Sequence, residues 1–371
     1  MRKFVQSILK AMFIILIFII NGCEPDQDRI KPEWTELGGI NTSVFNSRIF
    51  AIAPDASGNV FVDALLLTSN NSRYLAKWNK RTNSWSEIGV TQTSPFNGGF
   101  MAPLASDVDG NIFACGITRA PPERDNFHVA KWDGISWSEL GGTNQPSFNG
   151  SINNIITDPS GNVYVSGDSI VLGNTYFVAK WDKSSDTWYS LGDFTGTVGS
   201  LVIDATGNLY AGGKFLNGNG SPYVAKLEDL TWHEIGGGNS SNFNILQITS
   251  IVIDKDGNIY TAGCLNKNND DKNISRWDKN TNTWSFLSSQ LPSHGITSMI
   301  IDDVGHLYAV GDLHYSDENN VYKWNGFNWI NYGNLNANNT IFLILRDEIG
   351  NIYAGGAFTN GNNKFYVAVY K

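Results

Sequence analysis

The sequence predicts an all-β fold, a seven-bladed β-propeller of four-stranded blades, and three observations support it. A motif of the form apolar-x-x-Asp-x-x-Gly-Asn-apolar-aromatic recurs along the chain, and a Trp-containing motif follows each of the first six copies. The last repeat is incomplete, and its missing strand is found at the start of the repeats. The motif Asp stands at positions 55, 107, 158, 204, 254, 302 and 347, so the copies are 52, 51, 46, 50, 48 and 45 residues apart. A period near fifty is typical of propellers and repeat arrays.

The composition agrees with strands and tight turns. Of the 371 residues, 41% are hydrophobic and only 16% are charged, and 38 are Gly. This balance favours strands over surface helices. The formal net charge is −9, and residues 1–22 hold three bases and no acid, so the remainder has 23 bases against 35 acids, or −12. An acidic surface argues against a nucleic-acid partner and against binding to anionic lipid by charge alone.

The N-terminus has the pattern of an export signal. A positive start, Met1-Arg2-Lys3, precedes a ten-residue apolar run, 11–20. A membrane-spanning helix needs roughly 20 apolar residues, so the run fits the core of a signal peptide. The run ends in Ile20-Asn-Gly22-Cys23, which resembles the bacterial lipobox: an aliphatic residue, a small residue at −1, then the lipidated cysteine.

The lipobox resemblance implies a signal peptide over 1–22, a lipid on Cys23 and a short tether over 23–33. Several acyl chains would anchor the protein stably, whereas one chain binds a membrane only marginally. Glu24 is not the Asp that retains many lipoproteins in the inner membrane, so we expect an outer-membrane lipoprotein of the bacterial cell envelope. The alternative is an ordinary signal peptide with an incidental cysteine. Cys115 and Cys264 fall in different repeats, and buried thiols are expected there rather than a disulfide.

The first motif has the chemistry of a β-turn between two strands. Asp accepts hydrogen bonds from the backbone two residues on, and Gly adopts the left-handed conformation that closes a hairpin. Apolar segments such as 251–253 and 258–260 flank the turn and favour strands. Asp107-Val-Asp109-Gly110 faintly resembles a calcium loop, but the later acidic ligands are missing, so no metal site is predicted.

The second motif supplies the third and fourth strands, so each repeat contains one four-stranded blade. In 177–188, Phe-Val-Ala-Lys-Trp-Asp is followed by a second Trp. The Lys stands two residues before an acid, on the same strand face, which predicts polar pairing. Trp34-Thr-Glu-Leu37-Gly38 is a fourth-strand motif with no blade before it, whereas the seventh repeat stops at its third strand, 365–371. Pairing 34–39 with 365–371 closes the ring and leaves no open edge.

These motifs resemble known repeat families. The segment 181–188 resembles the last half of a kelch repeat, and 202–210 is similar to bacterial propeller repeats of the Asp-x-x-Gly-Asn type. The glycine doublet that a kelch repeat implies occurs only at Gly212-Gly213 and Gly355-Gly356. The resemblance covers the predicted domain, 34–371. It implies the fold and says little of function, because propellers host many activities.

If the four strands of a blade are called a to d in chain order, the connections between strands b and c and between strand d and the next strand a share one face of the ring. The candidate ligand-binding residues lie in these connections. Phe-Asn pairs there suit sugar recognition through stacking and paired hydrogen bonds. Alternatively, Phe packs between blades and Asn caps a turn. Two histidines share this face, but further metal ligands are not evident, so neither a metal nor a cofactor is predicted. The candidates are Phe45, Asn46, Phe96, Asn97, Phe148, Asn149, Phe243, Asn244, His294 and His314.

The sequence therefore predicts a monomeric, membrane-anchored lipoprotein that presents a propeller face to a protein or glycan partner and carries no catalytic residues. The alternative is a carbohydrate-active enzyme. The copper radical oxidases that a kelch resemblance brings in need a Cys–Tyr cross-link and two histidines, which Cys115, Cys264 and five scattered histidines fit poorly. A sialidase needs clustered arginines, and only Arg48 and Arg346 lie near inner strands. A third possibility is an accessory part of an outer-membrane assembly machine, which no motif selects.

Overall fold

A computed structural model shows that the repeats fold as seven four-stranded antiparallel sheets arranged in a ring, which confirms the predicted propeller. The residues it describes are 32–67, 73–88, 99–120, 124–141, 151–169, 175–236, 245–265, 274–287, 295–312 and 319–371. Within them all regular structure is β, with no helix. Each blade has the order a-b-c-d, in which every strand pairs with the next along the chain, except that in blade VII strand c pairs with β1 from the start of the array.

Blades I to III are β2 (Ala51–Pro54), β3 (Val60–Leu67), β4 (Arg73–Asn79) and β5 (Ser84–Ile88); β6 (Gly99–Ser106), β7 (Ile112–Ala120), β8 (Arg124–Trp132) and β9 (Trp137–Glu139); and β10 (Ile152–Thr157), β11 (Val163–Ser169), β12 (Thr175–Asp182) and β13 (Thr187–Phe194). Blades IV and V are β14 (Val198–Ile203), β15 (Leu209–Leu216), β16 (Pro222–Glu228) and β17 (Thr231–Glu234); and β18 (Ile245–Ile253), β19 (Ile259–Leu265), β20 (Ile274–Asp278) and β21 (Thr283–Phe286). Blades VI and VII are β22 (Gly295–Ile301), β23 (Leu307–Asp312), β24 (Tyr322–Trp324) and β25 (Trp329–Asn331); and β26 (Ile341–Arg346), β27 (Ile352–Gly356), β28 (Ala368–Tyr370) and β1 (Trp34–Glu36).

The strand directions give the ring two distinct faces. The a strands of successive blades contact one another from β2 round to β26, so they line the axis. Because neighbouring strands are antiparallel, the a–b and c–d turns share one end of every blade, which we call the turn face. The b–c and d–a connections share the other end, the loop face. In blade I the Lys80 backbone amide of the c–d turn donates to Asn59 Oδ1 of the a–b turn at 3.1 Å, which ties the two turns together.

The a–b turns have the predicted chemistry. In blade V, Asp254 Oδ1 accepts the backbone amides of Asp256 and Asn258 at 3.0 and 2.8 Å, and Oδ2 accepts the Asn258 side-chain amide at 2.8 Å. The turn glycines of all seven blades have φ between 78° and 97°, a region that Gly enters at no steric cost. In blade VI, His306 replaces the Asn and its Nδ1 lies 2.8 Å from Asp302 Oδ2.

The recurring tryptophans connect neighbouring blades. The strand-d indole of one blade donates to a carbonyl at the end of strand d in the preceding blade. Trp188 Nε1 donates to Leu140 O at 3.2 Å, and Trp232 Nε1 donates to Leu191 O at 2.7 Å. Apolar side chains of adjacent blades also share each core cluster; Val60 and Val62 of blade I, for example, pack with blade VII residues. The core is therefore divided into layers between blades.

Strand β1 closes the ring. It pairs with β28 in the register Trp34↔Tyr370, Thr35↔Val369 and Glu36↔Ala368. The Trp34 indole donates to Tyr332 O of blade VI at 2.8 Å, which repeats the contact that Trp232 makes with blade III. The predicted closure is confirmed, with the strand pairing itself limited to three residues on each side.

We expect Trp34→Ala to lower the free energy of unfolding by about 3 kcal/mol, near the lower limit for buried aromatics because the ring is only partly buried. The loss combines ring packing with the hydrogen bond to Tyr332. Urea denaturation of the purified protein measures it. Phe327→Ala is the control, because Phe327 is 81% exposed and such positions usually change stability little. An unchanged unfolding midpoint for Trp34→Ala would contradict the closure.

The turn carboxylates predict acid sensitivity. Burial alone would raise the pKa of Asp204, but hydrogen bonds from Asn208 and Thr206 outweigh it and hold this pKa at about 2. The unfolded value is near 3.9, so the contribution of Asp204 is full above about pH 4 and is lost as the pH falls through 2. Asp204→Asn should flatten the dependence of the urea midpoint on pH between 4 and 2, whereas Asp193→Asn, an exposed carboxylate, should leave it unchanged. Equal pH dependence in all three proteins would refute this account.

Candidate functional site

Two of the ten predicted ligand-binding residues, Phe45 and Asn46, lie within the described residues. The others lie outside them: Phe96, Asn97, Phe148, Asn149, Phe243, Asn244, His294 and His314, and with them the predicted lipidation site, Cys23. The loop face is described most completely around blade VII, at the connections 332–340, 357–367 and 37–50, and in part at blade IV, at 195–197 and 217–221.

Phe45 and Asn46 have different environments. Phe45 is fully buried, and its ring meets Trp85 edge to face with centroids 4.8 Å apart. It therefore packs in the core between blades VII and I, in agreement with the packing alternative. Asn46 is exposed, and its side-chain oxygen accepts a hydrogen bond from Lys364 Nζ. Of this pair, the amide is the group within reach of a ligand.

A cavity of about 330 Å³ opens on the turn face, lined by the a–b turns of blades VII, I, II and III. Its carboxylates at Asp55, Asp107 and Asp347 each accept at least three hydrogen bonds from their own turns. Arg346 binds Asp303 in two parallel contacts of 2.9 and 2.7 Å, and this partner raises the pKa of Arg346. These charged groups stabilise the scaffold through their bonds to other groups of the protein.

The strand-c cations also belong to the scaffold. Three of them pair with the acid two residues on, as the sequence predicted: Lys180 with Asp182 at 3.1 Å, Lys226 with Glu228 at 2.8 Å and Arg276 with Asp278 at 2.9 Å. Such partly exposed pairs contribute at most about 1 kcal/mol each, and they occur in several blades. This repetition fits a structural role.

A second cavity, of about 350 Å³, lies on the loop face beside β1, and we call it the closure groove. Three segments form it together with the strand. These are residues 40–41, from the connection into blade I; residues 334–335, from the connection into blade VII; and residues 360, 361 and 366, from the b–c connection of blade VII. The groove therefore lies where the two ends of the repeat array meet.

Glu36 fixes the floor of the closure groove. Its carboxylate accepts the backbone amides of Asn41 and Ser43 at 2.8 and 2.7 Å, and the Asn360 side-chain amide lies 3.2 Å from both oxygens. One carboxylate thereby holds the closing strand, the connection into blade I and the b–c turn of blade VII. Burial raises the pKa of the Tyr366 hydroxyl, and the charge of Glu36 raises it further.

Two side-chain amides in the closure groove are uncommitted. Asn41 and Asn334 are exposed and adopt left-handed backbone conformations, with φ of 57° and 52°. Their backbone amides are anchored, to Glu36 Oε2 at 2.8 Å and to Asn331 Oδ1 at 3.1 Å. Among the described residues neither side-chain amide has a hydrogen-bond partner. The groove therefore offers a ligand two side-chain amides on anchored backbone segments.

Other groups that could carry chemistry are few in the described part of the chain. No three His, Cys, Asp or Glu residues there are close enough to hold a metal ion. Cys115, in β7, is a free and buried thiol, as predicted, and burial raises its pKa. No helix among the described residues is long and apolar enough to cross a membrane.

The sequence analysis did not identify the groove residues, although a pattern pointed to them. An Asn-Gly turn follows the glycine doublet in both blades that have the doublet, at Asn217-Gly218 and at Asn360-Gly361. Asn360 and Asn217 each bond to a strand-d glutamate, Glu36 or Glu234. The spacing from doublet to Asn-Gly would have marked these two blades as different from the others.

Comparison with known proteins shows the fold alone. No family model matches the sequence, and no curated protein matches it. Among solved structures, a streptogramin B lyase superposes with a TM-score of 0.60 at 12% identity, over 92% of this chain and 97% of that chain. The WD40 propeller domain of Doa1 gives 0.59 at 13% identity, over 91% and 96%. PorZ, a surface component of the type-IX secretion system of Porphyromonas gingivalis, gives 0.55 at 13% identity, over 86% of this chain and 46% of that chain.

Proposed function

We propose that this protein is a lipoprotein of the bacterial cell envelope whose propeller is a non-catalytic binding module, with the loop face presented to a protein or glycan partner. The observation that carries the proposal is the contrast between the two faces. The turn-face carboxylates at Asp55, Asp107 and Asp347 each accept hydrogen bonds from their own turns. Asn41 and Asn334, by contrast, expose side-chain amides on the loop face that have no partner among the described residues.

The distribution of variable sequence supports the same face. The a–b turns keep one geometry in all seven blades, so a ligand would find little there to distinguish one blade from the next. Connections on a rigid scaffold can diversify with little loss of stability. The three described connections around blade VII differ in length and residue type from those of the turn face.

The closure groove fits binding better than catalysis. Glu36 is the one carboxylate among the residues that line it. Its oxygens accept hydrogen bonds from two backbone amides and the Asn360 amide. A general acid or base must be able to exchange a proton with substrate, and a carboxylate held in this way favours positioning of the surrounding segments instead.

The envelope address rests on the sequence of the N-terminus. We expect Cys23→Ser to abolish lipidation, because serine lacks the thiol that accepts the lipid. Phase partitioning in Triton X-114 and mass spectrometry of the N-terminus measure the change. Cys115→Ser is the matched control and should still enter the detergent phase. A Cys23→Ser protein that loses residues 1–22 and still partitions fully into detergent would refute the lipid anchor.

The working face can be tested by photocrosslinking in intact cells. We expect p-benzoylphenylalanine at Asn46 or Asn362, both exposed on the loop face, to form adducts with a partner protein or polysaccharide. The same group at Ser57 or Lys255, exposed on the turn face, should form none. Adducts are detected by gel shift and mass spectrometry. Adducts only from the turn-face positions would show that the proposed face is the wrong one.

A further inference from the structure

We propose that the closure groove is a carbohydrate-binding subsite that takes a neutral sugar unit. This inference rests on the proposed binding role and gives that role a location and a ligand class. The groove volume of about 350 Å³ lies at the lower end of the range for small-molecule sites, roughly 300–1,000 Å³. That size suits one or two sugar rings of a longer glycan.

The free amides match the hydroxyl groups of a sugar. A side-chain amide offers two N–H donors and a carbonyl acceptor, and each sugar hydroxyl is both donor and acceptor. Asn41 and Asn334 approach the groove from separate connections, and their backbone amides are already anchored. Little backbone freedom remains to be lost on binding, which favours affinity.

Aromatic rings supply the apolar part of such a site. Trp34 and Tyr366 both line the groove and both are partly exposed. The Trp34 indole is held by its bond to Tyr332 O at 2.8 Å, and Phe358 supports Tyr366 edge to face at 4.8 Å. A rigid ring with a polar edge can pack against the C–H face of a sugar while its heteroatom stays hydrogen-bonded.

The charges in the groove favour a neutral ligand. None of its lining residues is Lys, Arg or His. Its carboxylate, Glu36, is stabilised by hydrogen bonds from the protein rather than by a cation. An anionic ligand would be buried there without a counterion, which is unfavourable. A cationic ligand would compete with the bonds that hold Glu36 in place. A polyhydroxylated neutral ligand meets neither obstacle.

Blade IV supplies an internal comparison. It repeats the glutamate–asparagine contact, with Asn217 Nδ2 donating to Glu234 Oε1 at 3.0 Å. At this position, however, Phe194 at the end of blade III packs its ring against Trp232 of blade IV, with centroids 5.0 Å apart. Leu335 is the counterpart of Phe194 in the connection into blade VII, at the same distance after the strand-d Trp. The smaller side chain leaves room beside Trp34, so the groove is a feature of blade VII beyond what the repeat requires.

The test uses the full lipidated chain in lauryldimethylamine oxide, a detergent without sugar. Cellotetraose, maltotetraose, mannotetraose and chitotetraose serve as probes, followed by saturation-transfer NMR and calorimetry. We expect at least one to bind. Asn41→Ala with Asn334→Ala should weaken binding by about tenfold, as expected for two lost hydrogen bonds. Leu335→Phe, which copies blade IV, should fill the groove and weaken binding at least as much.

Two control variants at the corresponding positions of β13, the last strand of blade III, accompany these. Asp193→Ala is the counterpart of Asn334→Ala, and Phe194→Leu is the reverse of Leu335→Phe; both should keep the affinity within about twofold. Thermal unfolding of every variant verifies that the ring is intact.

Failure of all four probes to bind at millimolar concentration would overturn the inference, as would binding that survives both groove variants. Sialyllactose is the anionic comparison probe, and binding of it alone would overturn the neutral class. A crosslinked protein adduct that is lost in the groove variants would assign the groove to a protein instead. The proposed function fails separately, because its crosslinking positions, Asn46 and Asn362, are not among the groove-lining residues.

Discussion

The pairing of β1 with β28 is the interaction on which the other features of the ring depend. Without it the third strand of blade VII would have an open edge, and an open edge is a site for pairing with other chains. The three-residue register from Trp34↔Tyr370 to Glu36↔Ala368 joins segments more than three hundred positions apart. The bond from Trp34 to Tyr332 then joins blade VI to this strand, and Glu36 arranges the connections above it. Closure of the ring and the shape of the groove therefore arise from the same three residues.

Between blades, a recurring hydroxyl contact adds polar specificity to apolar packing. Ser200 Oγ accepts the backbone amide of Ile251 at 3.1 Å, and Ser250 Oγ accepts that of Met299 at 3.0 Å, each in the next blade. The inner strand carries a bulge just before each donating amide, and a bulge leaves backbone groups without ladder partners. The serine satisfies one such group, and leaving it buried and unbonded would cost about 1–3 kcal/mol. In this way each blade specifies the position of the next.

The sequence predicted the features that depend on neighbours in the chain, and it missed those that depend on distant contacts. The Asp254 turn is closed by bonds within five residues, so its motif is complete in the sequence. Closure was predicted because Trp34 repeats a motif that lacks a blade. The glycine doublet of blade VII is required by contacts with residues distant in the chain. A Cβ on Gly356 would lie 2.3 Å from Thr340 O, and one on Gly355 would lie 2.7 Å from the Ile49 side chain. The role of Glu36 was not predicted for the same reason, because its hydrogen-bond partners are brought together only by the fold.

The closure groove lies where the repeat symmetry is broken, and this has a physical reason. In the other blades a c–d turn joins the third strand to the fourth, whereas in blade VII the fourth strand, β1, comes from the opposite end of the array. Beside this junction the b–c connection of blade VII is held to β1 by the Asn360–Glu36 hydrogen bonds and to the connection 37–50 by the Phe45↔Phe365 bridge. Because Glu36 and Trp34 both close the ring and line the groove, substitutions there would change stability and binding together. Asn41 and Asn334 are anchored only by their backbones, so their side chains can diversify for recognition while the ring remains closed.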